Sequence, residues 1–263
     1  MSDESGEILF ERRDAIGIVT FNRPESLNAF RASTYERLIE RLGDIATDDS
    51  IRVLVLTGAG RAFCAGTDLK ELAEGIPESG AAAGGAPDVP VDRVGPNVEL
   101  NQEVTRRLVA LDQVTIAAVN GYAVGYGAEL AIACDIRVAA ESAWFVFPEV
   151  QRALFVTNGV TWMLPRIVGL GRAMEWLTTA RRISAAEALG AGLVTEYVTQ
   201  DRLLELALDI GGAIARNAPF SVRMVKRALQ DRPGARGRGR LASGRVLVFE
   251  SSRSGVAHHW ILE

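Results

Sequence analysis

Apolar and polar positions follow two rhythms along this chain. Ile8 to Glu11 and Ile16 to Phe21 are short β-rich runs that predict a hairpin with Asp14 near its turn, and Asn22-Arg23-Pro24 breaks the second strand. From Ser33 to Ala46 the rhythm lengthens. Tyr35, Leu38, Ile39, Leu42 and Ile45 recur at helical spacing and predict a helix with one core face. Val53 to Thr57 reads as a buried strand bounded by Gly58-Ala59-Gly60, Val98 to Leu111 as an amphipathic helix, and Thr115 to Val119 as another buried strand. Later helices are predicted over Ala128 to Cys134, over Asn158 to Leu164 with an end at Pro165, and over Arg172 to Thr179. A capping box, Ser184 with Glu187, opens the next helix, and Val194 to Val198 is the last strand. From Asp201 onward the pattern is helical, broken at Asn217-Ala218-Pro219 and over Arg232 to Arg240. Strands alternating with helices and then helices alone predict an α/β core over residues 1–198 with a helical C-terminal region over 199–263. Gly75 to Pro96 has no period and is rich in Gly, Ala and Pro, as expected of a surface loop, a candidate lid.

Two stretches break the rhythm in the same way. In NGYAVGYGAELAIACDIRVAAESAWFVFPE, from Asn120 to Glu149, a strand runs into Gly121, Gly125 and Gly127 and restarts as a helix. Such a turn aims backbone N–H groups without partners at the helix start, a place for developing negative charge. Glu129 lies in the first turn of that helix among Ala and Leu, and Glu149 follows Pro148. A carboxylate in apolar surroundings needs a reason, and two beside an anion-binding turn point to acid/base chemistry. The plainer alternative makes Glu129 a helix-start acid favoured by the macrodipole and Glu149 an ordinary surface residue. In the other stretch, RAFCAGTDLKEL from Arg61 to Leu72, a short apolar piece meets Gly66 before a helix begins near Asp68. Thr67 or Asp68 caps that helix, or the turn presents a second backbone N–H beside the first.

Composition narrows the picture without changing it. At 263 residues the chain can bury a sizeable core as one large domain. A formal net charge of -4 argues against nucleic acid or a membrane surface as the main partner. Cys64 and Cys134 sit among small apolar residues, as expected of reduced core cysteines, with no metal-ligand spacing. The polar, acidic start MSDESGEILFERRD is unlike a targeting segment, and the apolar runs are too short to span a membrane. A cytoplasmic protein is expected.

The four motifs IVTFNRPESLNAF, VLTGAGRAFCAGTDLKEL, IAAVNGYAVGYGAELAIACDIRVA and RISAAEALGAGLV together resemble the enoyl-CoA hydratase/isomerase (crotonase) superfamily across nearly the whole chain. The resemblance implies a spiral of ββα units with a helical C-terminal trimerisation region, assembled as a homotrimer or dimer of trimers. It implies an acyl-CoA thioester substrate, with coenzyme A as part of the substrate rather than a separate cofactor, and no metal. By position, the backbone N–H groups of Thr67 and Tyr126 would hold the thioester oxygen, and Glu129 and Glu149 would hold a catalytic water. Arg61 and Lys70 match positions where basic side chains meet the CoA phosphates and ribose, and Ala65, Asp68 and Leu69 match the adenine side. The plainer alternative makes Lys70 and Glu71 a solvated helix face. Having both acids favours an enoyl-CoA hydratase over an isomerase or another crotonase-type lyase.

Three departures from the family pattern stand out. Tyr126 occupies a position that is usually glycine, so its phenol is expected to narrow the acyl pocket or touch substrate. Thr157-Asn158-Gly159-Val160 replaces the glycine-rich turn whose backbone helps seat the water, which makes Thr157 or Asn158 a candidate substrate contact. Arg253-Ser254-Gly255 replaces the usual acidic residue before glycine near the C-terminus. Other classes fare worse. A Ser-His-Asp triad needs an imidazole base, yet the histidines are the adjacent His258 and His259 in the tail, with no G-x-S-x-G. The arginine–glycine run from Arg232 to Arg240 fits RNA binding by a non-catalytic homologue, or a solvated connector.

Overall fold

A computed structural model describes residues 6–68, 97–152 and 154–230. The expected 75–96 loop, Leu69, Lys70, the arginine–glycine run and the histidine pair lie outside the described residues. β1 (Ile8–Arg13) and β2 (Ile16–Phe21) form the predicted hairpin, with Asp14 taking the left-handed turn position at φ 52°. α1 (Ala32–Thr47) follows, burying Tyr35, Leu38, Leu42 and Ile45, with Ile39 partly buried at the edge of that face.

The remaining strands belong alternately to two sheets. β3 (Val53–Gly58) leads to β4 (Ala62–Cys64), β5 (Val114–Val119) to β6 (Tyr122–Val124), and β7 (Ile136–Ala140) to β8 (Trp144–Val146). The first member of each pair joins a six-stranded sheet in the order β1-β2-β3-β5-β7-β10, closed by β10 (Glu196–Val198). The second joins a four-stranded sheet in the order β4-β6-β8-β9, closed by the two-residue β9 (Ile183–Ser184). Beyond the β1–β2 and β8–β9 contacts every pairing is parallel. α2 (Val98–Ala110) and α3 (Tyr126–Ala133) follow successive strand pairs. This is a spiral of ββα turns, as the sequence implied. β5 is buried at every residue, because a parallel strand between neighbours is covered on both faces.

α4 (Val160–Val168) runs past Pro165, where an end was expected. The proline lacks only the N–H that would reach back one turn. Its carbonyl still accepts from Gly169 N–H at 3.0 Å, and the helix stops there, at φ 85°. α5 (Leu170–Thr179) and α6 (Ala185–Gly190) come next, the latter opened by Ser184 Oγ accepting from Glu187 N–H at 3.2 Å. α7 (Leu203–Ala215) lies across β2, β3, β5 and β7 and buries Leu203, Ala207 and Gly211.

α8 (Pro219–Gln230) is tied down by charge. Lys226 is 6% exposed, donates to the Gln113 carbonyl and pairs with Asp135, both at 2.8 Å. Arg227 pairs with Asp112 at 2.7 Å in solvent. Removing one partner of a buried pair leaves an uncompensated charge, which costs far more than losing an exposed pair. Lys226→Met is therefore expected to cost about 3 kcal/mol in urea unfolding, and Arg227→Ala less than about 1 kcal/mol. Equal losses in the two variants would reject this ranking.

Candidate active site

Two buried asparagines build the support of the site. Asn28, in a left-handed conformation at φ 57°, donates to the carbonyls of Ala59 (2.9 Å) and Ala62 (2.7 Å), and its oxygen accepts from Arg23 N–H. Asn120 accepts from Gly58 N–H (3.0 Å) and donates to the carbonyls of Gly60 (2.9 Å) and Ala62 (3.1 Å). Both side chains thus hold the turn between β3 and β4, and with it the strand that delivers Gly66. Sequence reasoning passed over both. Asn120 stood at the edge of an apolar strand, which a turn also explains, and Asn28 lay in an irregular stretch after Pro24 where nothing set it apart.

The two glycine turns abut. Gly66 has φ 94°, and a Cβ there would stand 2.8 Å from the Val124 carbonyl oxygen and 3.5 Å from Tyr126 N. Gly125 has φ 52° and ψ -122°, a conformation open to glycine and costly for other residues. At Gly127 a Cβ would fall 2.1 Å from the Cys64 carbonyl oxygen, so α3 begins directly on the backbone of β4. The bridge between Phe30 and Thr67 uses Phe30 N–H to Gly66 and Asp68 N–H to Phe30, and leaves Thr67 N–H out. Tyr126 N–H is the first of α3. Among the described residues neither Thr67 N–H nor Tyr126 N–H has a protein acceptor.

The Tyr126 phenol turns inward. Its ring packs against Tyr35 (5.1 Å) and Phe30 (5.6 Å), and its hydroxyl reaches the Asn101 carbonyl at 3.4 Å. Burial first, then the neighbouring Tyr35 and Cys64, raise its pKa well above the ordinary phenol value. The side chain therefore belongs to the core between α1 and α2. Tyr35 in turn shares a 2.9 Å hydrogen bond with Thr67 Oγ, fixing the other turn.

The two acids meet beside these turns. Glu129 is 2% exposed, and Glu149, on a short 3-10 turn (Glu149–Arg152), places Oε1 3.1 Å from where a Gly125 Cβ would be. Burial and the facing Glu149 charge push Glu129 above the ordinary carboxylate range, against the pull of its Asn158 and Thr157 donors. Burial likewise lifts Glu149, opposed by its own N–H and by Arg152. The pair titrates jointly. Asn158 Nδ2 donates to Glu129 Oε2 in a short hydrogen bond, and Thr157 N–H donates to Oε1 at 3.3 Å. Glu149 Oε2 is buried with no hydrogen-bond partner among the described residues. Asn158, a candidate substrate contact by sequence, thus faces Glu129.

The positions matched to CoA recognition divide. Arg61 is exposed and Ala65 half-buried, its N–H donating to Leu27. The Asp68 carboxylate takes both guanidinium nitrogens of Arg23 at 3.2 Å. It therefore braces the turn after Gly66 from the N-terminal side. Cys64 and Cys134 are free and buried, and burial pushes both thiols up to about 12. No group of three or more His, Cys, Asp and Glu side chains among the described residues could hold a metal ion, and no described helix is long and apolar enough to cross a membrane.

Residues 11–243 match the family model for enoyl-CoA hydratase/isomerase. The chain is 37% identical over 227 residues to a short-chain-enoyl-CoA hydratase of Clostridium acetobutylicum, covering 86% of this chain and 82% of that one. It is also 37% identical over 223 residues to a 1,2-epoxyphenylacetyl-CoA isomerase of Escherichia coli, covering 84% and 81%. Among solved structures, an enoyl-CoA hydratase from Bacillus anthracis superposes with a TM-score of 0.77 at 37% identity, over 86% of this chain and 83% of that one.

A carboxyl lifted by burial acts against folding at neutral pH. Below the ordinary value of 4.5 the folded and unfolded chains both carry the Glu149 proton. Above 4.5 the unfolded chain ionises first, so stability is lost as pH rises through the elevated pKa. Glu149→Gln removes that penalty. The variant is expected to gain on the order of 1–3 kcal/mol over wild type at pH 8 and little at pH 4 in urea unfolding. A gain independent of pH would contradict the burial.

Proposed function

The chain belongs to the enoyl-CoA hydratase/isomerase family, and we propose that within it the protein is an enoyl-CoA hydratase, adding water across the 2,3 double bond of an acyl-CoA thioester. The observation that carries this reading is the buried pair of carboxyls, Glu129 and Glu149, beside two turns whose Thr67 and Tyr126 N–H groups are uncommitted. Attack of water at the β-carbon moves negative charge onto the thioester oxygen. Two preorganised amides answer that charge, each worth about 3–4 kcal/mol. Positive charge from a metal is not needed for that step.

The hydrogen bonds divide the labour between the acids. Glu129 accepts on both oxygens. Burial and the facing Glu149 still hold it above the ordinary carboxylate range, but these two donors support its anion directly and suit it to take a proton from water. Glu149 has one buried oxygen without a protein donor, where a proton can sit until the α-carbon needs it. After addition the proton count is restored by exchange between the pair. Arg61 and Lys70 contact the CoA phosphates, and Ala65 and Leu69 the adenine side. The protein works in the cytoplasm as a homotrimer or dimer of trimers.

A second reading is isomerisation of a 3-enoyl-CoA. One observation favours it: Thr157 N–H, at the position whose backbone helps seat water in hydratases, is given to Glu129. Relatives named enoyl-CoA hydratase and enoyl-CoA isomerase both match this chain. Incubation with crotonyl-CoA and with a 3-enoyl-CoA separates the two. Hydration removes the absorbance of the conjugated enoyl thioester, and isomerisation creates it. With crotonyl-CoA, Glu129→Gln and Glu149→Gln should each lower kcat by at least about a hundredfold with little change in CoA-ester binding. Wild-type turnover in either single variant rejects the assignment.

A further inference from the structure

Glu129 does not stand in its pocket alone. Asn158, in the turn before α4, is 4% exposed, and both ends of its amide are engaged. Nδ2 meets Glu129 Oε2, and Oδ1 accepts from Thr105 Oγ at 3.0 Å. Thr105 is 2% exposed on α2, and its hydroxyl also lies 3.0 Å from the Asn101 carbonyl, the group that the Tyr126 hydroxyl approaches. A continuous buried chain thus runs from α2 through Thr105 and Asn158 to one catalytic carboxylate.

We propose that Asn158 is a positioning residue for Glu129, oriented by Thr105 so that its amide nitrogen holds the carboxylate in one place and favours its ionised form. The inference rests on the acid/base role given to Glu129 above. Orientation is the crux. An amide presents either a donor or an acceptor to Glu129. With the Thr105 hydroxyl donating to Oδ1, the donor faces the carboxylate; turned over, two acceptors would meet unless Glu129 carried a proton. The Thr105 hydroxyl has one proton for two acceptors, the Asn101 carbonyl and Asn158 Oδ1, so it holds this orientation when it donates to Asn158.

The surroundings leave few other groups to fix that charge. From the short turn after β8 the facing acid is Glu149, with Arg152 behind it. The Cys64 thiol on β4 and the Tyr126 phenol on α3 are both held neutral by burial. Among the described residues, α2 contributes Thr105 and the turn before α4 contributes Asn158, which carry no charge. Asn158 and the Thr157 N–H are thus the donors that oppose burial of the Glu129 charge.

The test reads the carboxyl directly. In protein labelled with 13C at glutamate side-chain carboxyls, the Glu129 resonance is assigned by its loss in Glu129→Gln, and its titration is followed without substrate. Asn158→Ala should raise the Glu129 midpoint by about one pH unit, and Thr105→Val should move it the same way by less. Thr105→Ser, which keeps the hydroxyl, should return it to the wild-type value. In turnover, Asn158→Ala should lower kcat about tenfold or more with KM little changed. An unmoved midpoint in Asn158→Ala overturns the proposal, even if turnover falls. Should that variant fail to fold, an unmoved midpoint in Thr105→Val, which leaves Asn158 in place, overturns it instead. Because the titration needs no substrate, its outcome is separate from the hydratase reading, which wild-type turnover of crotonyl-CoA decides.

Discussion

The structure depends on backbone meeting backbone where β4 ends and α3 begins. At Gly66 and Gly127 two segments far apart in sequence approach so closely that a single methyl group would strike a backbone carbonyl. Side chains could not make this contact, because they would hold the segments apart. The rest of the fold serves the approach. The parallel six-stranded sheet aligns β3 with β5, the crossings into the smaller sheet bring β4 beside β6, and Asn28 and Asn120 pin the turn feeding β4.

Around that contact the molecule accepts a local loss of stability. Glu129 and Glu149 are buried together where hydrophobic residues would fold better, and their repulsion adds to the cost of desolvation. Compensation is local and polar: two donors on Glu129, one arginine behind Glu149. Elsewhere burial of charge is avoided or matched, as with Lys226 and Asp135, or Arg137, whose guanidinium is spread over the carbonyls of Leu193, Ile132 and Cys134. Two acids buried face to face mark the site as a place shaped for chemistry rather than for packing.

Much of this was legible in the residue order. Periodicity located the hairpin, α1, β3 and β5, because each is an uninterrupted pattern of one period. The glycine turns and both acids stood out because a small residue in an apolar strand and a carboxylate in an apolar helix are local anomalies. What periodicity could not reach was contact between distant segments. Asn158 read as a substrate contact because its partners, Glu129 and Thr105, are 29 and 53 residues away. The inward turn of Tyr126 was hidden for the same reason, since it is decided by Tyr35 and Phe30 on another layer. Pro165 misled in the opposite sense: the helix runs on three residues past it and ends at Gly169 instead.

The hold on the β3–β4 turn also bears on how the molecule ages. Asn120 is followed by Gly121, the dipeptide in which the glycine nitrogen most readily attacks the asparagine amide, closing a succinimide and releasing ammonia. That attack requires the side chain to swing toward its own backbone. Here both amide atoms are engaged with Gly58, Gly60 and Ala62, the residue is 5% exposed, and Gly121 is pressed against the Arg61 carbonyl. The rotation is blocked for as long as the fold persists. Chemical damage at this position thus belongs to the unfolded chain, and each excursion out of the native state exposes the hinge of the site to a lesion that refolding does not repair.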